Sequence, residues 1–472
     1  MEDIDTDLLV IGAGAGGLSI AAGAVQMGAR VVLLEGGRMG GDCLNYGCVP
    51  SKALLAAARL AHAHARAADF GLRAAPPQVD FAAVKDHVAE VIATIAPHDS
   101  EERFAGLGVR VIREYGRFVS PRAVVAGAHR ITARRIVIAT GSSPLVPPIP
   151  GLDTVPYETN ETIFELRTRP EHLLIIGGGP IGLEMAQAHA RLGCKVTVIE
   201  GARALAQDDP ELTAALLSRL RGEGIEIVEE AMAARIEGRA GAIAVQTRDG
   251  RRFAGTHLLV AVGRRANTDG LDLDAAGIAT TRTGIRVDAR LRTTNRRVYA
   301  IGDVAGGMQF SHLAGYQAGV ILRAVLFSLP ARARSDHIPR VTYTDPELAQ
   351  LGLTEEEARA AHGRRLEVVR VGFAENDRAV AERLREGVVK VMVVRGRPVG
   401  VSIIGARAGE LIGLWALVTA NRLKMRHVAA MVAPFPTMGE LGKRAAGAYF
   451  SPRLFDNPRI KTVVGLVQRW LP

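Results

Sequence analysis

The chain has 472 residues, too many for one hydrophobic core, so two to four domains are expected. Its 48% hydrophobic content and 52 glycines fit a globular α/β protein, and the net charge of +10 comes from scattered arginines, not from a clustered nucleic-acid patch. Three cysteines exclude a secreted disulfide scaffold, no uncharged apolar run reaches the roughly 18 residues that cross a bilayer, and the acidic start Met1–Asp7 lacks signal-peptide character, so a cytoplasmic location is expected.

The first predicted strand is Asp7–Ile11. Gly12, Gly14 and Gly17 follow it in the G-x-G-x-x-G register, then an alanine-rich helix, the strand Val31–Leu34, and Glu35, 21 residues beyond Gly14. Such glycines let the backbone approach a pyrophosphate at a helix amino end, and the acid is placed to accept from a ribose. Gly41, Cys43, Gly47 and Cys48 come next. On a regular helix, residues five apart have Cα atoms about 8.7 Å from each other, beyond the roughly 4.4–6.8 Å that a disulfide bridges, so the segment must bend. Gly47 can supply the bend. Pro50 suits the first turn of a helix running from Ser51 to about Asp69, which leaves Cys48 near a positive helix end that favours a thiolate. The spacing and position suggest a redox-active disulfide beside a flavin; a pair of structural cysteines is the alternative. His62 and His64 on that helix point to different faces, as solvated side chains do.

The same unit then recurs: strand His172–Ile176, glycines Gly177, Gly179 and Gly182, a helix through Leu192, strand Lys195–Ile199, and Glu200. Two units imply two dinucleotides. The first precedes the cysteines and is read as the flavin (FAD) site, the second as the nicotinamide site. Glu200 would accept from the 2′-hydroxyl of NAD and repel the 2′-phosphate of NADP, so NAD is preferred, with Arg203 close by as the counter-argument. Cys194 reads as a packed small residue. At the C-terminus, Ile460, Val463, Val464, Val467, Trp470 and Leu471 recur at helical intervals among Arg459, Lys461 and Arg469, predicting a short helix that packs on its own dimer in preference to a membrane surface.

These motifs together resemble the pyridine nucleotide-disulfide oxidoreductase family over almost the whole chain. Ala139–Pro144 and Ala261–Thr268 are similar to the family's two chain crossings, Ile301-Gly302-Asp303 to the segment whose aspartate holds the flavin ribityl chain, and Val341–Glu347 to the opening of its dimerisation domain. Ala96–Phe104 and Gln309–His312 look most like the mercuric-reductase branch. The resemblance implies an α/β architecture of two Rossmann-like, three-layer dinucleotide-binding domains plus an α+β C-terminal dimerisation domain. Its expected limits are 1–152 for the FAD domain, 153–270 for the NAD(P) domain, 271–336 for a central segment completing the FAD domain, and 337–472 for the dimerisation domain.

The resemblance also implies roles. Cys48 would contact the flavin and Cys43 would exchange with substrate; Lys52 would pair with Glu184 near the reactive flavin edge. Gly41, Gly116, Thr140, Gly141, Ser142, Asp303 and His312 would line the FAD site, and Gly263 the nicotinamide side. No resident metal and no nucleic-acid partner are expected. The implied enzyme is a homodimer acting on a small-molecule or protein thiol or disulfide, or on a soft metal ion. The alternatives are a dihydrolipoamide dehydrogenase or mercuric reductase proper, or a flavin-binding scaffold with vestigial redox activity.

One departure stands out. Lipoamide dehydrogenases and glutathione reductases carry a His-Pro-Thr segment followed by Glu, whereas this chain reads Phe435-Pro436-Thr437-Met438-Gly439-Glu440. Phenylalanine offers no base to a dithiol, a loss of roughly 10²–10⁴ in rate where proton removal is limiting. Thr437 and Glu440 fit a helix capping box as well as they fit catalysis. No cysteine follows Cys194, so the C-terminal cysteine pair of mercuric reductases is missing too.

Overall fold

The computed structural model describes residues 1–73, 75 and 77–470, and the chain divides into two compact units. The first comprises Met1–Ala202 and Ile225–Arg334; the second comprises Arg203–Gly224 and the rest of the chain from Ser335.

In the first unit, the parallel strands Arg110–Ile112, Val31–Leu34, Glu2–Ile11 and His129–Ile138 form a sheet that Val298–Ala300 joins beside His129–Ile138. Arg117–Ser120 and Ala123–Ala126 fold back on it as an antiparallel meander. Successive side chains alternate between faces. Leu8, Val10 and Leu33 meet Leu18, Ile20 and Ala21 of the helix Ala15–Gln26, while Leu9, Ile11 and Leu34 meet Phe118 and Val124 of the meander. Burial on both faces explains why these strands read as continuous apolar runs. The first strand begins five residues before its predicted start, because Glu2–Thr6 pair with His129–Ala133, a partner invisible to local periodicity.

A second parallel sheet in this unit has the order Glu226–Val228, Lys195–Ile199, His172–Ile176, His257–Val260, with the three-stranded meander Ala233–Arg239, Ala242–Thr247, Arg252–Gly255 beside it. The unit therefore holds the two dinucleotide folds that the repeated motif predicts.

The second unit is built on the antiparallel sheet Arg340–Thr342, Glu347–Gly352, Arg397–Gly405, Val388–Val394, Leu366–Gly372. Val389, Val391 and Val393 face a core with Ile412, Trp415, Leu441 and Ala445. On the opposite face the buried Lys390 places its Nζ 2.9 Å from Asp209, 2.8 Å from Glu211 and 2.8 Å from Glu355. Residues 203–224, with their helix Pro210–Gly222, thus belong to this unit although the sequence puts them inside the nicotinamide segment.

Candidate active site

Steric necessity shapes both nucleotide loops. Gly12 has φ +106°, and a Cβ there would stand 2.4 Å from the Ala139 carbonyl; one on Gly17 would stand 1.9 Å from the Gly12 carbonyl. The second loop repeats the geometry, with Gly177 at φ +112°, 2.4 Å from the Ala261 carbonyl, and Gly182 2.0 Å from the Gly177 carbonyl. Gly14 and Gly179 face open space. Each acid grips its own loop: Glu35 accepts from the amides of Ala13 and Gly37 at 2.7 Å, and Glu200 from those of Gly178 at 2.6 Å and Ala202 at 2.8 Å. A carboxylate retains further lone pairs for a ribose. Two glycine cradles at helix amino ends fit two dinucleotides.

The cysteine segment abuts the first cradle. The Gly40 amide donates to the Ala13 carbonyl at 2.9 Å, and Gly41, at φ +60°, would bring a Cβ within 2.8 Å of the Gly14 Cα. A short helix, Gly41–Asn45, stops there, and the chain turns at Gly47, where a Cβ would lie 2.7 Å from a carboxylate oxygen of Asp42. The next helix begins at Cys48, three residues earlier than predicted, and ends at Ala65, short of Asp69. Pro50 still falls in its first turn.

Cys43 is partly buried, Cys48 is exposed, and both are free thiols. A hydrogen bond from Cys43 pulls the Cys48 thiol down to about 6 against the partial desolvation of its sulfur, assisted by the Ser311 hydroxyl and the Lys52 ammonium. The same bond, followed by burial, pushes the Cys43 thiol up. The pair is therefore set to hold its first charge on Cys48. Ser311 Oγ lies 3.5 Å from Cys48 Sγ. Lys52 Nζ, one turn along the same helix, lies 2.9 Å from Oε2 of the buried Glu184 on the helix Pro180–Arg191, which opens at the second cradle.

The two crossing segments meet. Arg264–Ala266 pairs antiparallel with Ser142–Pro144, the Thr140 hydroxyl donates to the Asn267 carbonyl at 2.7 Å, and the Asn267 amide reaches Gly141 at 3.0 Å. Gly263, at φ +134°, accepts from the Leu145 amide. From this ribbon the mostly buried Arg264 donates to the Ser142 hydroxyl at 2.7 Å and pairs with Asp42 at 2.9 Å. Ser142 in turn donates to Asp303, whose carboxyl is pushed up by burial against the pull of Ser142 and Arg264. Buried Asn160 donates to Asp42 at 3.0 Å and to the Tyr46 carbonyl at 3.2 Å, bracing the turn between the cysteines. Gly116 is buried against Leu34, one residue before Glu35. His312 is exposed and stacks on Phe310, with ring centroids 5.2 Å apart.

Ser311, Arg264, Asn160 and Asp42 were not singled out by the motif reading. Asp42 sits inside the cysteine motif, and Ser311 is the neighbour of His312, so position offered a clue for these two. Asn160 carried none.

Phe435 and Glu440 lie in the second unit. Phe435 is 68% exposed. The capping box predicted at Thr437 and Glu440 is absent: the Thr437 hydroxyl donates to the Pro434 carbonyl, Gly439 precedes the helix Glu440–Phe455, and Oε2 of Glu440 is buried with no hydrogen-bond partner among the described residues. Cys194 is buried, and burial raises its thiol to about 11, as befits a packed residue. Leu471 lies outside the described residues.

The family model described as pyridine nucleotide-disulphide oxidoreductase matches residues 6–318, and the model of that family's dimerisation domain matches 338–446. A mercuric reductase of Streptomyces lividans is 35% identical over 94% of this chain and 96% of its own length. A dihydrolipoyl dehydrogenase of Geobacillus stearothermophilus is 33% identical over the same shares. Among solved structures, the HOCl-induced flavoprotein disulfide reductase RclA of Escherichia coli superposes with TM-score 0.84 at 29% identity, covering 93% of this chain and 99% of that one. LpdA of Mycobacterium tuberculosis gives TM-score 0.86 at 25% identity over 94% and 99%.

Proposed function

Because this chain belongs to the pyridine nucleotide-disulphide oxidoreductase family and is a flavoprotein disulfide oxidoreductase, we propose that NADH is its electron donor, that Cys43 and Cys48 are its redox pair, and that Cys43 delivers electrons to a disulfide, another thiol-reactive acceptor or a soft metal ion. The observation that carries this reading is the close approach of Gly41 to Gly14, which sets the cysteine turn against the first nucleotide cradle. FAD, when bound, carries two electrons from the nicotinamide to the sulfur pair.

The residues account for the rest of the balance. One NADH gives NAD⁺, and its two electrons and one proton open the Cys43–Cys48 bond to one thiol, Cys43, and one thiolate, Cys48. Cys48 keeps the negative charge, favoured by Ser311 and Lys52, and the fixed Lys52 ammonium offsets charge developing beside it. Cys43 attacks the acceptor; when that is a disulfide, its S–S bond breaks, the Cys43–Cys48 bond re-forms, and the Cys43 proton and one from solvent leave on the two product thiols. Gly12, Gly14, Gly17, Glu35, Gly116, Thr140, Gly141, Ser142 and Asp303 would hold FAD, with Gly177, Gly179, Gly182, Glu200 and Gly263 holding the nicotinamide nucleotide. Glu200 at the strand end supports NADH over NADPH. Phe435, lacking a proton, favours acceptors that need no shuttle, and a thiolate-bound soft metal is one. The matched dimerisation domain supports a homodimer, and the cysteine content supports a reducing cytoplasm.

The test uses FAD-loaded protein under anaerobic conditions with NADH and NADPH in parallel, followed by alkylation and mass analysis. NADH should expose both thiols, NADPH far fewer, and Cys48→Ser should abolish the response. An oxidised pair that NADH leaves unalkylated would end the proposal. Oxidised lipoamide, glutathione disulfide and mercuric ion then compete as acceptors.

A further inference from the structure

The C-terminal helix Pro458–Trp470 has no buried residue and lies beyond the segment matched by the dimerisation-domain model. Ile460, Val463, Val464, Val467 and Trp470 share one face by their spacing of three and four. Val463, Val464, Val467 and Trp470 are exposed, and so are Leu454 and Phe455 at the end of the preceding helix. Arg459, Lys461 and Arg469 occupy the flanks and the far face. No acidic residue occurs from Asn457 to Trp470, and among the described residues none of these three cations makes an ion pair.

We propose that this helix lies in the interface of an anionic lipid bilayer, with its valines and Trp470 in the acyl boundary and its cations among the headgroups. Thirteen residues make a helix about 20 Å long, too short to cross a hydrocarbon core of about 30 Å, so it lies in the plane. The amphipathic ring of Trp470 suits that depth. The charge pattern selects the occupant. The helix carries three cations and no carboxylate, a pattern that an anionic surface neutralises and that a second copy of the same helix does not. This placement is the alternative to the dimer packing expected from sequence, and vesicle binding separates the two.

The chain supplies its own probe. Of its two tryptophans, Trp415 is 1% exposed and Trp470 is 80% exposed, so a blue shift of emission on adding vesicles reports Trp470. FAD-loaded full-length protein should show that shift, and co-sediment, with phosphatidylcholine vesicles containing phosphatidylglycerol. Binding should be at least about tenfold tighter than to phosphatidylcholine alone and should weaken as salt rises. Trp470→Phe should remove the shift but keep most of the sedimentation, and the double variant Val464→Glu, Val467→Glu should lose both while NADH oxidation in solution stays unchanged. No binding to the anionic vesicles, or equal binding to neutral ones, overturns the proposal. So does a double variant that still binds lipid but falls from dimer to monomer, because the face would then belong to a second copy.

Discussion

The hydroxyl of Ser311 stands 3.5 Å from the sulfur of Cys48, and each residue is the first of its helix, Ser311–Leu326 and Cys48–Ala65. The sulfur is thus held between two helix amino ends, whose unpaired amides favour an anion. Ser311→Ala removes one hydrogen bond to the charged form, worth about 1.5 kcal/mol, so the Cys48 thiol should rise from about 6 by about one pH unit. The pH profile of iodoacetamide alkylation of the prereduced protein measures it. An unmoved profile removes Ser311 from this role.

Lys52→Met should lower the rate of NADH-driven disulfide reduction by about 10²–10³, the usual loss when a fixed electrostatic group is deleted from a reacting centre. Stopped-flow oxidation of NADH reads this directly. Glu184→Gln, which keeps the cation but loses its 2.9 Å partner, should cost less than Lys52→Met.

Arg264→Gln should destabilise the first unit by about 1–2 kcal/mol, less than breaking a fully buried ion pair costs because Asp42 is partly exposed, as Asp42 and Asp303 lose their shared cation. Thermal unfolding measures the loss. Asn160→Ala leaves the cation in place and should loosen the turn, seen as faster alkylation of Cys43, with a lowered melting temperature from the two hydrogen bonds lost.

The Lys390 cluster predicts the pH response of the second unit. Burial alone would raise Glu355, but hydrogen bonds from Lys390 and Arg359 hold it at about 2 against an ordinary 4.5. A depressed carboxyl contributes stability that is complete above about 4.5 and is lost as pH falls toward 2. Lys390 is raised by its carboxylate partners despite burial, so its contribution is complete at neutral pH and is lost as pH climbs through its elevated value. Lys390→Met should lower the melting temperature at neutral pH and flatten its decline in acid, as followed by calorimetry.

Phe435→His is the test of acceptor class. The position is largely exposed, so the change should cost under about 0.5 kcal/mol in stability. Dihydrolipoamide turnover should rise if proton removal limits it, by up to about 10²–10⁴. An unchanged turnover shows that the absent base was not the barrier.

What could be read from sequence was what is contiguous. Strand, glycine loop, helix, strand and acid occur in order twice, and every glycine with a steric role in the cradles belongs to that local pattern. The cysteine turn was legible for the same reason, down to its bend at Gly47. Illegible were partners that folding brings from afar: Ser311 reaches Cys48 across 263 residues, and Asn160 reaches Asp42 across 118. The capping box at Thr437 did not form because the Glu440 amide turns to the Thr437 carbonyl instead of its hydroxyl, which donates to Pro434, a local choice that spacing does not decide. Lys390 gave no signal because it alternates with valines on a strand whose second face is covered by a segment 179 to 181 residues earlier.

The seam between Gly41 and Gly14 leaves 2.8 Å where a methyl group would have to sit. The phosphate-binding bend and the sulfur-bearing turn are consequently machined against each other with no shim between them. Grafting either into another scaffold without the other should fail, and directed evolution of new acceptors has freedom at the outer rim of the turn but none at Gly41.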